Sequence, residues 1–343
     1  MADFIKGQSS SGDEPPIRPL VPSPGVKPEA IREVVAKRRD IIGHYKLIDR
    51  LTAGKAGEAW RCTDERIDEE RFIKPFARPK YPSEELRTSD PERYRKNVNA
   101  CEEFANRQTT IMAKLRSELV GSGALVNAVD FFREPNSPIY YKVYPFIKDK
   151  KPNARDVARW SRSIRLVFVR SLLLALNELH IRGIVHADIK LENVLVVEKP
   201  IGPVARLIDF DDAYLVGDVP SPDMLGGTED LYSPEILLFK HPDDFVGMDP
   251  LPIGCAADLF SLAIVLHQLF SKSQLAPKWS SESDHSGDGG AQALNGGISI
   301  YESLGLSSDL LQFRIQSCLK RDPLDRPTIG DLLSAAQIDM RSE

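Results

Sequence analysis

The sequence predicts an α+β fold in two lobes: a small antiparallel β-sheet lobe carrying one long helix, then a mainly helical lobe. Three observations predict it. From His44 the chain runs as short apolar segments broken by glycine, HYKLIDRLTAGKAGEAWRCTD and RFIKPF, the pattern of adjacent strands joined by tight turns. Beyond the strand-like run IYYKVYPFI, near Tyr144, apolar residues recur mainly at helical spacing to the end of the chain. Finally, 343 residues with 42% hydrophobic content can bury a full core, as one large domain or as two lobes sharing a cleft.

Residues 1–27 are rich in Ser, Pro, Gly and charge and bury too little apolar surface to offset the entropy of ordering, so a disordered leader is expected. PEAIREVVAKRRDII, opening at Pro28, has a proline start and helical apolar spacing; it predicts a short helical extension over 28–43. The domain proper is expected over 44–340, with a small lobe at 44–143 and a large lobe at 147–340. After its first strands comes a charged stretch from Pro75 to Pro91. A helix then places Phe104, Ile111, Met112 and Leu115 on one face. VNAVDFF and IYYKVYPFI read as two more strands. SRSIRLVFVRSLLLALNELH sets Ile164, Val167, Phe168, Leu172, Ala175, Leu176 and Leu179 on the core face of a long helix, its arginines on a solvated face. The Gly, Ser and Asp of WSSESDHSGDGGAQALNGG predict a flexible loop over 279–298.

The charge balance narrows the function. Forty-five basic against fifty acidic side chains leave a net charge of −5, with neither a nucleic-acid-binding field nor a polybasic membrane anchor. The four cysteines, Cys62, Cys101, Cys255 and Cys318, have no metal-ligand spacing and suit a reducing cytoplasm. No signal segment and no apolar run long enough to span a bilayer is seen, so a cytoplasmic protein off the membrane is expected.

Chemistry concentrates in two segments, IVHADIKLENVLVV and ARLIDFDDAY, where apolar strands hold more charges than packing would tolerate without a task. Together they resemble the protein kinase family. His186-Ala187-Asp188-Ile189-Lys190-Leu191-Glu192-Asn193 is similar to its catalytic loop, and Asp209-Phe210-Asp211 to its metal-binding Asp-Phe-Gly. The resemblance continues in family order through Pro234-Glu235 and Asp258 to Arg326, covering roughly 44–340.

That resemblance implies ATP and Mg²⁺ as cofactors and a protein substrate. Asp188 would accept or orient the proton of the attacking hydroxyl, and Lys190, whose identity in this family marks Ser/Thr specificity, would steady the transferring phosphate. Asn193 and Asp209 would be the oxygen ligands for Mg²⁺. Gly54 and Gly57 fall on two of the three glycines of the phosphate-cradling turn, with Thr52 in place of the first, and Lys74 matches the strand lysine that pairs the α and β phosphates. Val143, Tyr144 and Phe146 resemble the hinge that holds adenine. His186 is expected to stack on Phe210, Glu235 and Arg326 to form a buried ion pair, and Asp258 to anchor the catalytic loop.

Three residues depart from the family pattern. Gln108 stands where a helix glutamate would pair with Lys74, and an amide could still bond that lysine. Ala187 removes the arginine that reads a phosphorylated activation loop, which argues against that switch, and Thr228 is expected beside the catalytic aspartate rather than as a phosphosite. Asp211 replaces a glycine; the favoured reading is that it restricts inactive conformations rather than altering metal binding. The leading expectation is an active Ser/Thr protein kinase. The alternatives are a pseudokinase that serves as an ATP- or partner-binding scaffold, and a kinase-fold small-molecule kinase or nucleotidyl transferase.

Overall fold

The computed structural model describes residues 41–53, 57–116, 123–270, 294 and 309–342. The expected leader, most of the expected helical extension, Gly54 and all of the expected 279–298 loop except Leu294 lie outside these residues.

Six strands form one antiparallel sheet: β1 (Ile41–Ile42), β2 (Tyr45–Ala53), β3 (Gly57–Asp64), β4 (Glu69–Pro75), β5 (Asp130–Arg133) and β6 (Tyr140–Pro145), in the order β1-β2-β3-β4-β6-β5. The two residues of β1 pair with β2, so the end of the segment expected to be helical is extended instead. Each face of the sheet carries a buried cluster, and alternation sorts its side chains. Ile73, Tyr141 and Val143 join Ile42, Tyr45 and Cys62 on the outer face. Phe72 and Tyr144, cross-strand partners, join Met112 and Ile208 on the inner face. Lys74 and Lys142 are also cross-strand partners, which puts two buried lysines side by side on one sheet face.

After a short helix α1 (Glu84–Ser89) capped by Ser83, the long helix α2 (Pro91–Arg116) starts with proline at its first position, and Asp90 accepts from the Arg93 N–H. Its buried stripe is Cys101, Phe104, Gln108, Ile111, Met112 and Leu115, at helical spacing, with one amide among the apolar residues. Phe104 packs edge-on against Phe76 at 4.9 Å.

The large lobe follows: α3 (Ala154–Ala158), α4 (Arg162–His180), β7 (Ile184–Val185), the hairpin β8 (Val194–Lys199) and β9 (Gly202–Leu207), β10 (Tyr214–Leu215), α5 (Pro234–Lys240), α6 (Ala256–Phe270), α7 (Asp309–Ser317) and α8 (Ile329–Ser342). Helix α4 is capped by Ser161 and buries Leu166, Val169 and Leu173 as well as Phe168, Leu172, Ala175, Leu176 and Leu179; Ile164 and Val167 are only half-buried. Its apolar face is thus wider and rotated relative to the expected one, because it packs on both β9 and α8. Helix α6 is buried nearly all round and forms the centre of this lobe. Ile111 and Leu115 of α2 reach into the same core, tying the lobes together. Glu235 and Arg326, both fully buried, form the expected bidentate pair with two bonds of 2.7 Å, and the Arg326 Nη1 also donates to the Ala256 carbonyl. Among the described residues no helix is long and apolar enough to cross a membrane.

Candidate active site

The catalytic loop leaves β7 at His186 and turns back on itself to reach β8. Ala187 adopts a positive φ of 65°, a conformation an L-residue holds only when its surroundings over-determine it. Asp258, buried in the first turn of α6, supplies that constraint. Its carboxylate accepts from the His186 N–H at 2.8 Å and the Ala187 N–H at 2.9 Å, and meets the His180 Nε2 at 2.9 Å. The Asp188 N–H donates to His186 Nδ1, so His186 carries its proton on Nε2 and donates to the Ile208 carbonyl; its ring lies 5.2 Å from Phe210. Asp258 is therefore an anchor and His186 a packing residue, as the motif implied.

Three donors converge on Asp188. Asn193 Nδ2 donates to its Oδ2 at 2.9 Å and to its carbonyl at 2.8 Å, Lys190 Nζ lies 2.6 Å from Oδ2, and the Thr228 hydroxyl donates to Oδ1 at 2.7 Å. Lys190 in turn donates to Thr228 at 3.2 Å. The activation segment is thereby fastened to the catalytic loop without any modification. The close approach depends on Gly227, at φ +117°, where a Cβ would stand 2.6 Å from the Ala187 carbonyl. Beside it a Cβ on Gly226 would fall 1.8 Å from the Asp212 carboxylate, so Gly226 makes room for a further acid. Burial, then the neighbouring charges of Asp188, Asp211 and Asp209, push Asp212 up to about 7.

The small-lobe side of the cleft is arranged differently from the motif's implication. Lys74 does not meet Gln108. It pairs with Asp209 Oδ1 at 2.5 Å and Asp211 Oδ2 at 2.7 Å. Gln108 instead accepts from Lys142 Nζ at 2.6 Å and donates to the Asp211 carbonyl at 2.8 Å. Lys142 also donates to the Phe210 carbonyl at 3.3 Å and lies 3.2 Å from Asp211 Oδ1, which accepts from the Tyr144 hydroxyl at 2.7 Å. Burial works against the charge on Lys74, but Asp209 and Asp211 outweigh it and hold this lysine above its usual range. At Lys142 burial wins and lowers the pKa. Burial likewise opposes the charge on Asp211, and the two lysines overcome it, keeping the carboxyl below its usual range.

Asp188, Lys190 and Asn193 form one bonded set and Lys74 and Asp209 another, joined where the Ile208 N–H donates to the Asn193 carbonyl at 3.0 Å; Gly57 opens strand β3. The hinge residues divide. Val143 packs in the outer-face cluster and its carbonyl accepts from the Val129 N–H; Tyr144 is buried with its hydroxyl on Asp211; Phe146 follows the strand, with the Arg61 guanidinium over its ring at 5.7 Å. The side chains of Val143 and Tyr144 are committed to packing and to Asp211. Asp209 adopts φ 66°, which turns its carboxylate back toward Lys74. Asn193 spends its amide hydrogens on Asp188, which leaves Oδ1 as its oxygen donor; with the Asp209 carboxylate this is an all-oxygen pair that suits Mg²⁺.

Sequence reasoning missed Lys142 and the direction Asp211 takes. The signal for Lys142 was available: a lysine within the apolar run IYYKVYPFI is as costly to bury as the charges that drew attention to the catalytic loop.

The family model for the protein kinase domain matches residues 45–336. The chain is 30% identical over 105 residues to mouse death-associated protein kinase 2, covering 30% of this chain and 25% of that protein. It is 22% identical over 232 residues to chicken smooth-muscle myosin light chain kinase, covering 66% and 10% of the two chains. With serine/threonine-protein kinase PSK1 of Saccharomyces cerevisiae it shares 30% over 168 residues, 49% of this chain and 10% of that protein. The matched part is therefore a quarter or less of each of these relatives. With the catalytic loop, the metal-binding segment, the Glu235–Arg326 pair and the two-lobed fold in register with that match, the chain belongs to the protein kinase domain family.

Proposed function

We propose that this protein transfers the γ-phosphate of ATP, with Mg²⁺, to Ser or Thr hydroxyls of protein substrates in the cytoplasm. The observation that carries the reading is the convergence of Lys190, Asn193 and Thr228 on the Asp188 carboxylate. Asp188 would orient the attacking hydroxyl and accept its proton, and Lys190, held within 2.6 Å of it, would steady the transferring group. Asn193 and Asp209 would hold Mg²⁺, which when bound supplies charge neutralisation at the phosphates. Lys74 would pair the α and β phosphates, and Gly54 and Gly57 would let the backbone approach them. Ser/Thr specificity is supported by Lys190 and by the likeness to the yeast serine/threonine-protein kinase PSK1.

A scaffold reading draws on one observation: Lys74 is held by both Asp209 and Asp211, so a nucleotide must compete for it. The deciding experiment incubates the purified chain with Mg²⁺, γ-labelled ATP and a basic protein substrate beside Asp188→Ala, and identifies the labelled residue by mass spectrometry. Label on Ser or Thr that disappears in the variant is the expected result. Mg²⁺-dependent ATP binding without transfer would establish the scaffold, and label on a small molecule or a nucleotidyl adduct would refute the protein acceptor.

A further inference from the structure

A strand lysine that grips phosphates needs a fixed carboxylate partner, since its four-carbon stem otherwise samples many rotamers. In this chain no carboxylate of α2 contacts Lys74 among the described residues; Gln108, on the buried face of that helix, turns both ends of its amide to other groups. The carboxylate that does meet Lys74, besides the metal ligand Asp209, is Asp211. On the reading of this cleft as a phosphotransferase site, we propose that Asp211 is the residue that positions Lys74 toward the nucleotide, with Lys142 as its counter-ion. The metal-binding segment thereby supplies the carboxylate that α2 does not.

The charges balance only if Asp211, Lys142 and Gln108 act as one unit. Two lysines, Lys74 and Lys142, face two carboxylates, Asp209 and Asp211. Asp211 alone, beside Asp209, would add an unpaired negative charge to a buried site, and Lys142 neutralises it. An acid at position 108 would then be a third carboxylate against two lysines, whereas the amide satisfies Lys142 as a neutral acceptor and still donates to the Asp211 carbonyl. The Tyr144 hydroxyl gives the Asp211 side chain a third hold. Asp211 has no positive φ, so a side chain in place of glycine carries no backbone strain there. With Asp209 engaged as a Mg²⁺ ligand, Asp211 would be the carboxylate left for Lys74.

The test measures binding of adenylyl imidodiphosphate with Mg²⁺ by calorimetry, and thermal melting without nucleotide, on the full chain. Asp211→Asn keeps the shape and removes the charge; affinity is expected to fall roughly tenfold, and melting to fall because Lys142 loses its counter-ion. Adding Lys142→Met is expected to return the melting temperature while affinity stays low, which a purely structural role for Asp211 would not produce. Adding Gln108→Glu to that pair offers Lys74 a helix carboxylate and is expected to bring affinity back to within about threefold of the starting protein. The proposal is overturned if Asp211→Asn binds as tightly as the parent, or if affinity returns with stability in the Asp211→Asn/Lys142→Met protein. A parent chain that binds the analogue but transfers no phosphate refutes the proposed activity alone; one that binds no nucleotide refutes both.

Discussion

The two sides of the cleft hold their key residues by different means. On the large-lobe side, Asp188, Lys190 and Asn193 lie within six positions of one another, and a single buried carboxylate, Asp258, fixes the backbone that carries them. On the small-lobe side, Lys74, Gln108, Lys142 and Asp211 come from two strands, a helix and a loop, and their contacts are redistributed relative to the family pattern. A site built from local sequence on one anchor has few ways to rearrange. A site built where four separate elements meet can exchange partners as long as the buried charges still cancel.

The contrast breaks most visibly if the large-lobe side also controls nucleotide binding. Asp188→Ala is expected to lower phosphoryl transfer by about 10²–10⁴-fold with nucleotide affinity held, as measured by radiolabel transfer and calorimetry on the same preparation. Affinity falling in step with rate would show that the two sides are one unit. Beneath the loop, Arg326→Ala leaves Glu235 charged, buried and without its guanidinium partner, and is expected to cost about 3–5 kcal/mol in urea unfolding. A loss near zero would mean that the lobe relaxes to hydrate Glu235.

Asp258→Asn probes the anchor directly. The amide keeps the shape but presents an N–H where one backbone N–H now donates, so about 1.5–3 kcal/mol of loop stabilisation is expected to go. Transfer should fall while nucleotide affinity is unchanged, because Lys74 and its partners do not rest on α6. Equal losses in both would sharpen the comparison the other way, making the anchor common to the whole cleft.

What was legible in the sequence follows the same division. Asp258, Thr228 and the Glu235–Arg326 pair were assigned contacts that the geometry shows, because each is tied to a motif read along the chain. The strands, the long helix and the helical lobe were legible from period alone. Gln108 was placed where a helix glutamate would pair with Lys74, with an amide able to bond that lysine; it meets Lys142 instead, because which of two adjacent buried lysines an amide meets is settled by cross-strand register between β4 and β6, not by helix spacing. Asp211 was read as restricting inactive conformations rather than altering metal binding; its ion pair with Lys74, beside the turn at Asp209 with φ 66°, was not legible. Tyr144 was placed by resemblance in a hinge; what the sequence did not show is that the sheet alternation that makes it the partner of Phe72 sends its hydroxyl to Asp211.

Asp212 lies between the two sides, packed on Gly226 and flanked by carboxylates of both, Asp188 on one and Asp209 and Asp211 on the other. Its carboxyl is raised from 3.8 in a free chain to about 7, first by burial and then by those charges. Between these values the folded protein keeps a proton that the unfolded chain releases, so this group subtracts stability progressively as pH rises through that window, and the full penalty stands above pH 7. Asp212→Asn removes the titration. In metal-free buffer with chelator the variant should match the parent near pH 4 and exceed it by about 1–2 kcal/mol at pH 8, the partial exposure of the side chain holding the figure well below the whole shift. An advantage of the same size at both pH values would show that the gain comes from packing against Gly226 and not from relief of charge between the two sides of the cleft.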